Sequence, residues 1–168
     1  MNILPFDTPT FGITIAVPQT TVAVRTPTKS DYYRMVACLD KKAMAEYILE
    51  RYGTGVAVPF SMVTGAAFVA DFVKALDDYR EVNMDIMRIP EQIDFKSIGK
   101  EIKLPCITSG ERLVYEHSGL DFIRQGELPV TEYWVLLADA MKMLIMKRTD
   151  GEEYLAECYN DMHRINTL

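Results

Sequence analysis

At 168 residues, with 49% hydrophobic and 25% charged side chains, the chain has the length of one domain and the composition of an ordinary globular protein, where about 45–50% and about 25% are usual. Disordered, collagenous and coiled-coil classes are excluded, and a core is predicted that needs neither disulfides nor a structural metal. A formal net charge of -6 is the wrong sign for holding a phosphate backbone or an anionic lipid surface, so neither nucleic acid nor a membrane is expected as partner.

In chain order, Met1 to Thr10 carry Pro5 and Pro9 and no period, and read as an extended arm before a single globular domain over 11–168. Phe11, Ile13, Ile15 and Val17 alternate with smaller residues, and Val22 and Val24 repeat the pattern after Pro18 and Gln19, which predicts a β-hairpin. Pro-Gln is not a favoured two-residue turn, so a longer loop is expected. Thr28 and Asp31 form a capping pair for a helix through about Leu39. Asp40 caps a second helix, Lys41 to Tyr52, with Gly53 as a left-handed stop. Val69, Phe72, Val73, Leu76 and Tyr79 stripe a third, from roughly Thr64 to Asn83.

Between Met84 and Gly126 the period breaks at Pro90 and Pro105. A short strand is expected near Lys100 to Ile107, and Ser118 with Asp121 is expected to open a short helix that stops at Gly126. After Pro129 the run from Tyr133 to Met146 is apolar almost all round, the pattern of a buried central helix. Thr149 and Glu152 form a further capping box for a last helix striped by Tyr154, Leu155, Cys158, Met162 and Ile165. The expected fold is α+β and predominantly α: an N-terminal hairpin, then a helical bundle closed by a C-terminal helical hairpin.

Catalytic signals are sparse. His117 and His163 are the two histidines. Glu116, His117 and Ser118 are the right types for a triad, but adjacent side chains diverge. Cys158 and His163 miss the four-residue spacing that puts two ligands on one helix face. Thr64-Gly65 reads as a helix start, not a phosphate cradle, in the absence of a nearby lysine. Asp77, Asp78 and Glu81 read as a solvated helix face. No catalytic, cofactor-binding or metal residue is assigned, and no cofactor is expected. Cys38, Cys106 and Cys158, odd in number and widely spaced in a chain that lacks a signal-peptide pattern, predict a reducing cytoplasm. The ten methionines read first as core filling and second as an adaptable contact surface. Tyr32, Tyr33, Tyr47, Phe60 and Phe68 divide between core and aromatic contact in the same way.

Two stretches carry a resemblance. Val22-Ala23-Val24-Arg25-Thr26-Pro27-Thr28-Lys29-Ser30-Asp31 resembles the strand, Arg-x-Pro-Thr and capped helix that open many tailed-phage tail assembly chaperones and small baseplate assembly proteins. Leu128 to Tyr133, Leu136 to Ala140, Arg148 to Gly151 and Tyr154 to Cys158 resemble the closing helical hairpin of small proteins encoded among phage tail genes. Together they cover about a fifth of the chain. The resemblance implies a non-enzymatic protein of the infected cell's cytoplasm, or of the virion, that binds a tail or baseplate subunit, with self-association left open. Two other classes stay open at this point: an acidic inhibitor or regulator of a host protein, and a small enzyme using carboxylates or Cys106.

Overall fold

Alternating apolar side chains make the first element a hairpin. In the computed structural model, whose described residues are 8–55, 57–83, 107–147, 150–153 and 156, strand β1 (Thr10–Ala16) pairs antiparallel with β2 (Gln19–Arg25), Thr10 opposite Arg25 and Ala16 opposite Gln19. Ile13, Ile15, Val22 and Val24 are buried on one face, as the two-residue period requires. The loop is shorter than expected. It consists of Val17 and Pro18 with the peptide between them cis, the type VI arrangement in which a proline sits at the second corner of a tight turn.

Helix α1 (Lys29–Ala37) is capped by Thr28, whose hydroxyl accepts the Asp31 N–H at 3.3 Å. Asp40 caps α2 (Lys41–Tyr52) through the Ala43 N–H at 3.0 Å. Gly53 ends α2, but its backbone is extended (φ -71°, ψ 147°) and not left-handed. The reason is that Gly53 bridges Val24 of β2, and the Thr54 N–H donates to the Ala23 carbonyl at 2.9 Å. Space, not φ, selects glycine here: a Cβ would overlap the Leu49 carbonyl and lie 2.6 Å from the Leu49 Cδ1. Helix α3 (Met62–Asn83) starts ahead of Thr64 because Ser61 is its cap. The Thr64 N–H donates to Ser61 Oγ at 3.1 Å, and the Ser61 N–H returns the bond to Thr64 Oγ1 at 2.8 Å, a reciprocal capping box.

Two compact units divide the chain. The first comprises Met1–Asp78 and Gly126–Thr131. Within it Phe72 of α3 meets Phe11 edge-on at 5.8 Å, Phe68 lies 5.1 Å from Phe60, and the Tyr32 hydroxyl of α1 donates to Asp77 of α3 at 2.7 Å. Gly65 lets α3 close on α2, since a Cβ there would stand 2.8 Å from the Lys42 Cα. The segment 126–131 is stitched on by an antiparallel bridge between Thr28 and Pro129, with the Lys29 N–H donating to the Leu128 carbonyl at 2.8 Å and the Val130 N–H to the Pro27 carbonyl at 2.9 Å.

The second unit comprises Tyr79–Gln125 and Glu132–Leu168. Most of α4 (Ile107–Ser118), α5 (Phe122–Glu127) and α6 (Val130–Ile145) belongs to it. Ile107 opens α4 and does not close a strand; Lys100 to Cys106 lie outside the described residues. Gly119, at φ 74°, ends α4 in the left-handed conformation, its N–H on the Tyr115 carbonyl at 2.8 Å. Asp121 alone caps α5 through the Arg124 N–H at 2.9 Å, while the Ser118 hydroxyl turns back to the Val114 carbonyl; α5 runs through Gly126 to Glu127.

Helix α6 is not buried all round. Tyr133, Trp134, Ala138, Met141 and Ile145 are buried, and Val135, Asp139, Lys142 and Met143 are exposed. Leu113 of α4 packs with Leu137, Ala140 and Met141 of α6, and Gly110 fits beneath Tyr133, whose Oη would be 3.1 Å from a Cβ there. Chain resumes as helix at Gly151–Glu153 against the end of α6. Thr149 and Tyr154 to Ile165, which carry the second arm of the expected closing hairpin, lie outside the described residues except for Ala156, as do Met1 to Asp7 of the arm. The fold is α+β and predominantly helical, with a two-stranded N-terminal hairpin. Among the described residues no helix is long and apolar enough to cross a membrane.

Candidate functional site

Among the described residues the candidate catalytic side chains do not converge. His117 is exposed on α4; Glu116 pairs with Arg112 at 2.9 Å, and the Ser118 hydroxyl donates to a backbone carbonyl. Among the described residues no three His, Cys, Asp or Glu side chains gather as a metal site. Cys106, Cys158 and His163 lie outside the described residues. The free thiol of Cys38 donates to the Asp40 carbonyl at 3.2 Å. The acidic run on α3 splits. Asp78 pairs with Lys74 and Glu81 is exposed, but Asp77 is half-buried and holds the Tyr32 hydroxyl, so it is not part of a solvated face. Of the methionines, Met35, Met44 and Met141 fill core, and Met62, Met143 and Met146 are exposed.

One carboxylate organises the first unit. Asp31 is 4% exposed, and a buried carboxylate is costly unless every lone pair is used. The Tyr52 hydroxyl donates to its Oδ2 at 2.5 Å and the Tyr47 hydroxyl lies 3.2 Å from the same oxygen. Arg34 Nη1 donates to Oδ1 at 3.1 Å, and Arg51 Nε stands 3.6 Å from Oδ2. Asp31 therefore does not close the capping pair with Thr28 as expected. The Thr28 N–H donates instead to Tyr52 Oη at 3.3 Å, so Tyr52 accepts from the helix start and donates its own hydrogen bond to the carboxylate. Local reasons put the partners there: Arg34 is one turn after Asp31 on α1, and Tyr47 and Arg51 are one turn apart on α2.

The arginines stay on the surface. Their side chains are 57% and 58% exposed, and the Arg34 guanidinium lies 4.9 Å over the Tyr47 ring with that of Arg51 6.0 Å from it. Arg51 also lies 5.8 Å from the Tyr52 ring. Tyr47 above all, and Asp31 with it, pushes the Arg34 pKa upward; Tyr52 does so for Arg51. Both are fixed cations. Arg25 of β2 joins them by donating to the Arg51 carbonyl at 3.1 Å. Local spacing could not reveal this cluster, because it joins α1 to the far end of α2.

The second unit carries a different surface. Tyr115 at the end of α4 is 51% exposed, Phe122 at the start of α5 57%, and Ile123 77%. The two rings meet at 6.3 Å, placed by the Gly119 turn between their helices. Elsewhere in this unit burial raises the Glu132 carboxyl above its ordinary value. Gln125, fully buried, donates to the Glu111 and Leu120 carbonyls at 3.0 and 2.8 Å, while its Oε1 has no hydrogen-bond partner.

No family model, curated protein or solved structure matches this chain. Residues 22–31 and 128–133 meet through the bridge between Thr28 and Pro129 and its two flanking hydrogen bonds.

Proposed function

We propose that the chain is a non-enzymatic partner-binding protein and that its client is a tail or baseplate subunit of a tailed phage, bound in the host cytoplasm or retained in the virion. The observation that carries the binding reading is the exposed cluster of Tyr115, Phe122 and Ile123. Isolated exposed apolar residues are ordinary, but two touching aromatic rings beside an exposed isoleucine match the composition of interface anchors. The client rests on the resemblance of the two stretches that pair at Thr28 and Pro129.

The test is co-expression of the tagged protein with tail-tube, tape-measure and baseplate subunits. Retention of one of them is expected, with a loss of about tenfold or more in affinity for the double substitution Phe122→Ser and Ile123→Ser. Equal retention by that variant would overturn the assignment of the surface. Retention of none of the subunits would overturn the client.

A further inference from the structure

We infer that Arg34 and Arg51, with Arg25 beside them, form a docking point for a carboxylate-rich segment of a partner protein. Asp31 already accepts from Tyr52, Tyr47 and Arg34 within hydrogen-bond distance, and Arg51 Nε at 3.6 Å lies beyond it. Both guanidiniums pair with this one carboxylate, so the pair carries one positive charge more than Asp31 balances. With Arg25 on the Arg51 carbonyl at 3.1 Å, three arginines gather around the one carboxylate of Asp31 in a protein whose net charge is -6. Glu46 of the same helix pairs with Lys42 at 3.9 Å.

The cations are also held in place. Stacking on Tyr47 and Tyr52 and the pull of Asp31 restrict two long side chains whose freedom would otherwise be lost on binding. Each guanidinium is planar and belongs to a side chain more than half exposed, a shape and access that suit a carboxylate fork. Both guanidiniums already reach one carboxylate, Asp31, at 3.1 and 3.6 Å. A partner's glutamate or aspartate would meet the same pair from solvent. With a net charge of -6 the protein as a whole repels such a segment, so a local excess of positive charge favours where it lands.

This inference rests on the partner-binding reading but uses other residues in the other unit, so binding through Phe122 can fail while this site holds, and the reverse. The experiment titrates the full-length protein with fluorescein-labelled hexaglutamate, with hexaglutamine as the uncharged control and inorganic phosphate as competitor. Expected are binding of hexaglutamate alone, weakening as salt rises, and a loss of about tenfold or more with Arg34→Gln and Arg51→Gln together, at unchanged far-ultraviolet circular dichroism. Should that double variant unfold, Arg34→Lys keeps the charge and removes the fork, and a loss of severalfold is expected from it. No binding of hexaglutamate, equal binding by the folded double variant, or an unaffected Arg34→Lys would overturn the proposal. Displacement by inorganic phosphate would assign the site to a phosphoryl ligand instead.

Discussion

Replacing Tyr52 with phenylalanine keeps the ring in the core and removes one hydroxyl, so it isolates the bond at the centre of the first unit. That hydroxyl donates to the 4% exposed Asp31 at 2.5 Å and accepts the Thr28 N–H at 3.3 Å. A hydrogen bond to a charged group contributes about 1.5–3 kcal/mol, and an amide left without its acceptor adds to the loss. The expected cost is about 2–4 kcal/mol. At roughly 2–4 °C per kcal/mol for a protein of this size, the melting temperature falls by about 5–15 °C. Tyr47→Phe removes longer contacts, 3.2 and 3.3 Å, from a half-buried side chain, and should cost no more than about 1 kcal/mol. Urea unfolding followed by far-ultraviolet circular dichroism is the assay, because the sole tryptophan, Trp134, belongs to the second unit. A loss under about 0.5 kcal/mol for Tyr52→Phe, or equal losses for both variants, would refute the claim that Tyr52 supports the buried carboxylate.

Two glycines should differ in whether asparagine replaces them cheaply. Gly53→Asn should destabilise as much as Gly53→Ala, by about 1–3 kcal/mol, since either Cβ strikes Leu49; at Gly119, where φ is 74° and the space is open, Gly119→Asn should cost less than Gly119→Val. Thermal melts of the four variants check both. Gln125→Met should cost a net of about 1–3 kcal/mol by denaturant unfolding, because two part-buried carbonyls lose this donor while one orphan acceptor is relieved. The Glu132 carboxyl is raised by burial, so the folded state binds its proton more tightly than the unfolded chain, and the group opposes stability increasingly as pH rises through and above the ordinary carboxylate range. Glu132→Gln should therefore raise the melting temperature near about pH 7 and lose that advantage near about pH 4; a gain equal at both would contradict the assignment.

What local pattern encodes was legible. Alternation placed the hairpin, Asp40 and Gly53 bounded α2, and the stripe through Val69, Phe72 and Leu76 placed α3. Helix α4 was not, because Gly110 reads as a breaker when its use is to admit Tyr133, and because its buried Leu113 and Val114 are neighbours without a period. The tight turn at Val17 and Pro18 depends on a cis peptide that residue types do not declare. Helix α6 misled in another way: Val135 and Met143 look like core and are exposed. The Asp31 cluster hid behind a correct cap. Thr28 and Asp31 read as a local pair, but the partners that complete them, Tyr47, Arg51 and Tyr52, follow 16 or more residues later on α2. The aromatic cluster of Tyr115 and Phe122 carries no signal in spacing, since a left-handed turn at Gly119 separates them.

Site-specific photocrosslinking tests the central claim most directly. A benzophenone side chain placed at Phe122, and as control at exposed Asp139 of the same unit, would be irradiated in cells producing the phage components. The account predicts a crosslink from position 122 to a tail or baseplate subunit and none from 139. A crosslink from 122 to a host enzyme in place of a tail subunit, or equal labelling from both positions, would contradict it.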